Sequence, residues 1–158
     1  MFSEKANAIF KEVIEKYHVI DKVDQSFSNP YDSKSQNLEH LLYRKCWIDT
    51  VQWHYEDIIR DPNIDPVSAL TLKRQIDASN QDRTDMVEYI DSYFLEENKG
   101  VSVKSTATIN TESPAWGVDR LSILALKVYH MNEEATRENA SEDHRNACQT
   151  KLNVLLQQ

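Results

Sequence analysis

Apolar residues recur at intervals of three and four from the start of the chain: Ala6, Ile9, Phe10, Val13, Ile14 and Tyr17. That spacing predicts a helix over 3–17 with one face in a core. Asp24 to Ser35, with Asn29-Pro30, carries little apolar content and reads as a loop. A second helix is predicted over 36–60, ending at Asp61-Pro62, because the residue before proline is pushed out of helical geometry. Asp65-Pro66 then pairs a capping side chain with proline in the first turn, which starts a third helix over 66–95. The short link makes the second and third helices an antiparallel hairpin. Residues 96–113 are small and polar and read as a mobile loop, with a hint of extended chain at Val101–Val103 and Thr106–Ile109. Ser113-Pro114 opens a fourth helix to about residue 137. Leu121, Ile123, Leu124, Leu126 and Val128 make it apolar on most sides, so it is expected to be the central buried helix. Ser141 caps a fifth helix carrying Ala147, Cys148, Leu152, Leu155 and Leu156. That stripe is still running at Gln158, so the domain is expected to continue beyond 158, or another subunit is expected to cover 141–158.

Polar residues interrupt these stripes. His54 follows Trp47 and Val51 and precedes Ile58. Asn80 and Arg83 sit in the run Leu72, Ile76, Asn80, Arg83, Val87, Ile90 and Phe94. A buried polar group costs free energy unless it is hydrogen-bonded, and a buried charge costs more unless paired. Two such interruptions imply a polar network or a site.

Composition narrows the class. Two glycines and four prolines in 158 residues are too few for a turn-rich β or α/β fold, which leaves an all-α antiparallel bundle of about five helices in one domain. The formal net charge of −8 excludes a duplex nucleic-acid partner, since phosphate binding needs a basic face. It leaves room for a small anion held by a few local cations. Cys46 and Cys148 show no metal-binding spacing and read as reduced core thiols of a cytoplasmic protein. No apolar run is long enough to span a membrane, and the N-terminus is too charged for a signal peptide.

The candidate chemistry sits on three helices. His54 and Asp57 are three residues apart, as are Asp57 and Arg60, while Glu56 and Arg60 are four apart. A carboxylate beside an imidazole raises its basicity and suits proton transfer; the alternative is a core histidine and a surface ion pair. Arg83, beside Asn80, requires an anion: either Asp49 of this chain or a ligand phosphate or carboxylate. Counting outward from a turn near Asn63 puts Arg83 level with Tyr43, and His54 and Arg83 about 15 Å apart along the bundle. They would then line two ends of an elongated pocket. On the fourth helix, Asp119, Ser122, Leu126 and His130 share one face; Arg120, Ile123, Lys127 and Met131 share another. Lys127 either snorkels or serves a site.

Metal chemistry finds little support. The Glu-x-x-His spacing of diiron bundles is absent, and His130-x-x-Glu133 runs in the reverse order. Asp82, Asp85, Glu88 and Asp91 resemble half of the Mg²⁺ cage of all-α pyrophosphohydrolases, without a matching second acidic pair, and read as a solvated face. No metal ligands are assigned and no cofactor is implied.

Three stretches carry a resemblance. Leu42 to Asp49 leads into Trp53-His54-Tyr55-Glu56-Asp57; Asp77 to Arg83 includes Ser79-Asn80-Gln81; Asn110 to Trp116 leads into Asp119 to His130. Together they resemble an uncharacterised bacterial family of small helical proteins known only as a domain of unknown function, over nearly the whole chain. The resemblance implies no activity. It implies a neighbourhood of envelope-polysaccharide glycosyltransferases and a domain longer than this chain. Gly117 stands where a helix-favouring residue such as Ala is expected.

The expected function is binding or modification of a small anion such as a sugar phosphate or nucleotide sugar. His54 and Asp57 would move protons. Arg60, Asn80, Arg83, Arg120, Lys127 and His130 would line the ligand site, with Asp119 orienting a cation. The rival readings are a non-catalytic interaction or dimerisation module acting through 141–158, and a Mg²⁺-dependent pyrophosphohydrolase.

Overall fold

The computed structural model describes residues 1–31, 33 and 37–158. Five helices follow in order: α1 (Phe2–His18), α2 (Leu38–Ile58), α3 (Pro66–Asn98), α4 (Pro114–Thr136) and α5 (Glu142–Leu155). No strand occurs among the described residues, and the all-α bundle expected from the periodicity is what forms. The expected loop is non-helical where it is described; its residues 32 and 34–35, and the expected start of the second helix at Gln36, lie outside the described residues.

The caps are largely those in the sequence. Asn37 accepts from the Glu39 N–H, Asp65 from the Ser68 N–H with proline following, and Ser141 from the His144 N–H. α4 is the exception. The Ser113 side chain makes no capping bond; instead Asp91 of α3 accepts from the Ala115 N–H at 3.1 Å, so a carboxylate from a neighbouring helix faces the positive end of α4. α3 runs to Asn98, three residues past its expected end, and 99–113 holds turns but no strand.

The core is built by Phe10, Val13, Ile14 and Tyr17 of α1 against Leu42, Tyr43, Cys46 and Trp47 of α2, with Val87 and Ile90 of α3 and Val118 and Leu126 of α4 closing it. α4 touches each of the other four helices and α5 packs on α4. The most deeply buried helix is nevertheless α2, whose buried residues include Lys45, Asp49, Thr50 and Gln52; α4 buries only Ala115, Val118, Ser122 and Leu126. The expectation of a fully buried fourth helix is corrected accordingly. Its second apolar side, with Leu121, Ile123 and Leu124, has only the short α5 over part of it and stays half open. No helix among the described residues is long and apolar enough to cross a membrane.

Candidate functional site

Three polar features occupy the bundle, and the expected residues divide among them. The first is an ion network at the α2–α3–α4 contact. Following Leu38 and Leu42 at helical spacing, α2 places Lys45, Asp49 and Gln52 on its buried face. Asp49 accepts from Lys45 Nζ at 2.5 Å, from Ser122 Oγ at 2.6 Å and from Arg83 Nε at 2.7 Å. Asp119 accepts from Lys45 Nζ at 2.7 Å and from Arg83 at 3.3 Å. Two cations and two carboxylates thus close on one another. Burial alone would depress Arg83, but the two carboxylates outweigh it and hold the guanidinium firmly charged. Arg83 therefore has its anion inside the protein, the first of its two expected partners. It reaches Asp49, and in its stripe Ser79 is buried while Asn80 faces solvent. Asp119 orients cations, as expected of it.

A cleft of about 200 Å³ opens beside this network and is lined by Asp57, Arg60, Asn80 and Arg83 together with Gln52 and Glu56. Four expected site residues do meet here. The cleft holds more carboxylates than cations, and Arg60 is already paired with Asp57 at 3.0 Å, so it offers no free positive charge to an anion.

The second feature is a groove of about 760 Å³ between α2, α4 and α5. Trp53, Met131, Val154 and Leu155 give it an apolar floor; Asp57, Lys127, His130 and Lys151 stand on its rim. Its acids are engaged: Asp57 with Arg60, Glu133 with His130, and Glu134 with Arg137 and His144. Lys127 and Lys151 carry no ion pair among the described residues. Arg120, expected nearby, turns to Glu112 instead.

The third feature joins α1, α2 and α4. His18, His54 and His130 bring one ring nitrogen each to within 4.8 Å of one another. His54 Nε2 lies 3.2 Å from His18 Nε2 and 3.7 Å from Asp21 Oδ1. The hydrogen bond expected between His54 and Asp57 is not made. His54 turns toward α1, where the Tyr17 ring stacks on it at 4.9 Å, and Asp57 turns to Arg60. Burial lowers the basicity of His54 and, with the same leading cause, of His130. His54 and Arg83 therefore belong to different sites rather than to two ends of one pocket.

A smaller cluster sits on the α4–α5 hairpin. Glu134 Oε2 lies 2.7 Å, and Cys148 Sγ 3.4 Å, from the same His144 Nε2. A proton relay would use both ring nitrogens, so this is not a nucleophile–base–acid chain. Of the acidic run, Asp91 caps α4, Asp85 accepts from Gln81, and Asp82 and Glu88 face solvent.

Sequence reasoning missed His18, Lys45 and Lys151. Lys45 was visible in principle, on the face begun by Leu38 and Leu42. His18 carried no motif signal, because its partners come from other helices, His54 being 36 residues away.

The chain belongs to the family described as "Protein of unknown function (DUF4254)", whose model matches residues 39–158. That span holds His54 and His130 but not His18. No curated protein and no solved structure matches the chain.

Proposed function

We propose that this member of the family binds a small amphipathic anion in the groove between α2, α4 and α5. The observation that carries the reading is the division of charge there: Asp57 and Glu134 are each paired with an arginine and Glu133 is hydrogen-bonded to His130, while Lys127 and Lys151 stand beside an apolar floor with no ion pair among the described residues. A ligand with an apolar or aromatic part would lie on Trp53, Met131, Val154 and Leu155, and its phosphate or carboxylate would meet the two ammonium groups. The groove has the size and the mostly apolar lining typical of small-molecule sites. Phosphorylated sugars attached to an aromatic base, such as nucleotide sugars, fit that chemistry. This moves the anion site from Arg83, whose charge is already neutralised, to Lys127.

A second reading draws on Ala147 and Val154 of α5 and on Leu156 just past its end, which remain exposed. On this reading α5 docks on another protein or a second copy of the chain, and the groove is part of that interface.

A thermal-shift series in chelator-containing buffer tests both. Nucleotide sugars, sugar phosphates and aromatic carboxylates are screened against wild type, Lys127→Glu and Lys151→Glu. A ligand at 100 times its Kd raises stability by about 2.7 kcal/mol, which for a chain of this size is a shift of about 5–11 °C. The proposal expects a shift that both charge reversals abolish. A shift that survives both reversals, or none across the series, overturns it. A molecular mass that rises with protein concentration and falls on Leu156→Glu supports the second reading.

A further inference from the structure

We infer that His18, His54 and His130 form a binding site for a divalent transition-metal ion of the zinc class. The inference is independent of the groove, and it starts from three helices converging. α1, α2 and α4 each contribute a single imidazole to a place where their coordinating nitrogens all lie within 4.8 Å. Zinc bound by imidazole at 2.0–2.1 Å in a tetrahedron sets its ligand nitrogens about 3.3 Å apart. His18 and His54 already stand at 3.2 Å. No pair needs to close by more than about 1.5 Å.

The outer contacts prepare the right nitrogens. His18 Nδ1 lies 2.7 Å from the Ile14 carbonyl oxygen. A carbonyl only accepts, so Nδ1 carries the proton and the Nε2 lone pair is free. His130 Nδ1 lies 3.0 Å from Glu133 Oε2, and a carboxylate there also holds the proton on Nδ1. A histidine whose outer nitrogen is held by a carbonyl or carboxylate, leaving the inner one bare, is the arrangement that orients metal ligands. In the protein alone, His54 donates from Nε2 to His18, which leaves His130 Nε2 buried with no hydrogen-bond partner among the described residues. A buried acceptor without a partner is costly, and a metal ion would remove that cost.

The rings are clamped. Tyr17 stacks on His54, Trp53 stacks on His130 at 5.0 Å with 9° between planes, and Tyr129 packs on His18 at 4.4 Å. An apolar collar that fixes three imidazoles preorganises a site and excludes competing water. Asp21 completes the picture. It is the one non-glycine residue among those described with a positive φ, 54°, and this left-handed turn at the end of α1 places its carboxylate 3.7 Å from His54 Nε2. Three imidazoles match the protein-ligand count of an open zinc site rather than a closed structural one. Imidazole donors also suit Co²⁺, Ni²⁺ and Cu²⁺, and they disfavour Mg²⁺ and Ca²⁺.

The test uses the full chain, stripped with chelator and titrated with Zn²⁺ against a chromophoric competitor and with Co²⁺ by visible absorption. We expect one equivalent of Zn²⁺ at micromolar or tighter affinity and a Co²⁺ spectrum of four- or five-coordinate type. Glu133→Gln should weaken binding about 10–100-fold, as removal of an outer-shell partner does. His130→Ala should abolish it while His144→Ala leaves it unchanged. Should the histidine variants fail to fold, the imidazole resonances of the wild-type chain give the answer: those of His18, His54 and His130 must shift or broaden together at one equivalent, with His40 and His144 unmoved. Binding only at millimolar metal, a six-coordinate Co²⁺ spectrum, or loss of binding in His144→Ala instead of His130→Ala would overturn the assignment.

Discussion

Asp49→Ala is the substitution whose cost follows most directly from the structure. Asp49 and Lys45 are both closed to water, and Asp49 accepts three hydrogen bonds, two of them from cations. Deleting the carboxylate leaves the Lys45 ammonium with Asp119 alone, an acceptor it must share with Arg83. It also strips Ser122 of its acceptor. Breaking a buried pair from one side costs about 3–5 kcal/mol, because the remaining charge stays desolvated and underpaired. For a domain of this size that is a fall in Tm of about 6–20 °C. Asp119→Asn should cost less, since its side chain is 14 % exposed and water can take part of the load. Urea unfolding followed by tryptophan fluorescence, from Trp47, Trp53 and Trp116, measures both, with an unchanged m-value as the check that the denatured state has not altered. The decisive comparison is the combined variant Lys45→Met, Asp49→Leu, Arg83→Met, Asp119→Leu. Replacing a whole buried ion network by apolar groups of similar size is often neutral or stabilising, so this variant should be more stable than Asp49→Ala alone. A cost below about 1 kcal/mol for Asp49→Ala, the range of solvent-exposed pairs, would refute the reading of the network as sealed and mutually dependent.

Three further outcomes follow from local structure. Gly117→Ala should stabilise the chain by about 0.4–1 kcal/mol in the same urea assay, because Gly117 is helical and a Cβ there meets nothing within 4 Å; a destabilisation would mean that this turn of α4 is not helical in solution. Burial pushes the Cys46 thiol up to about 12, so a thiol reagent at neutral pH should modify Cys46 only at the rate of unfolding, and prompt labelling located at Cys46 by mass spectrometry would contradict the packing. Burial holds His54 and His130 below the ordinary imidazole range while the unfolded chain titrates near pH 6.5. The unfolded state thus binds more protons below that pH, and metal-free stability should fall as pH drops from about 7.5 to 5.5, with a shallower slope in His54→Gln; a flat profile would refute the burial.

How much of this was legible follows from what each feature depends on. Helix positions depend on local spacing and on prolines at 62, 66 and 114, and these appeared within one to three residues of their expected bounds. The Arg83–Asp49 pair was within reach because an arginine in an apolar stripe demands an anion and the neighbouring helix of a hairpin has few to offer. Which anion Arg83 would reach was not fixed by the turn count, because a long guanidinium can span more than a helical turn along the neighbouring helix. The His54–Asp57 pair failed for a related reason. Spacing shows that two side chains can meet on a helix surface, but the imidazole does better stacked on Tyr17 in the core, and the carboxylate does better with Arg60 in water. The capping of α4 by Asp91 was invisible because a carboxylate on another helix outcompeted the local serine. The histidine site is the extreme case. Its three members share no element, and each alone reads as an ordinary half-buried histidine; only the packing of α1 and α4 on α2 makes the three nitrogens neighbours. In an all-α bundle, chemistry assembled one residue per helix leaves no spacing to read. The residues to suspect are then those that interrupt an apolar face, which singles out His54, Lys45 and Arg83 and says nothing of His18, the last residue of its helix.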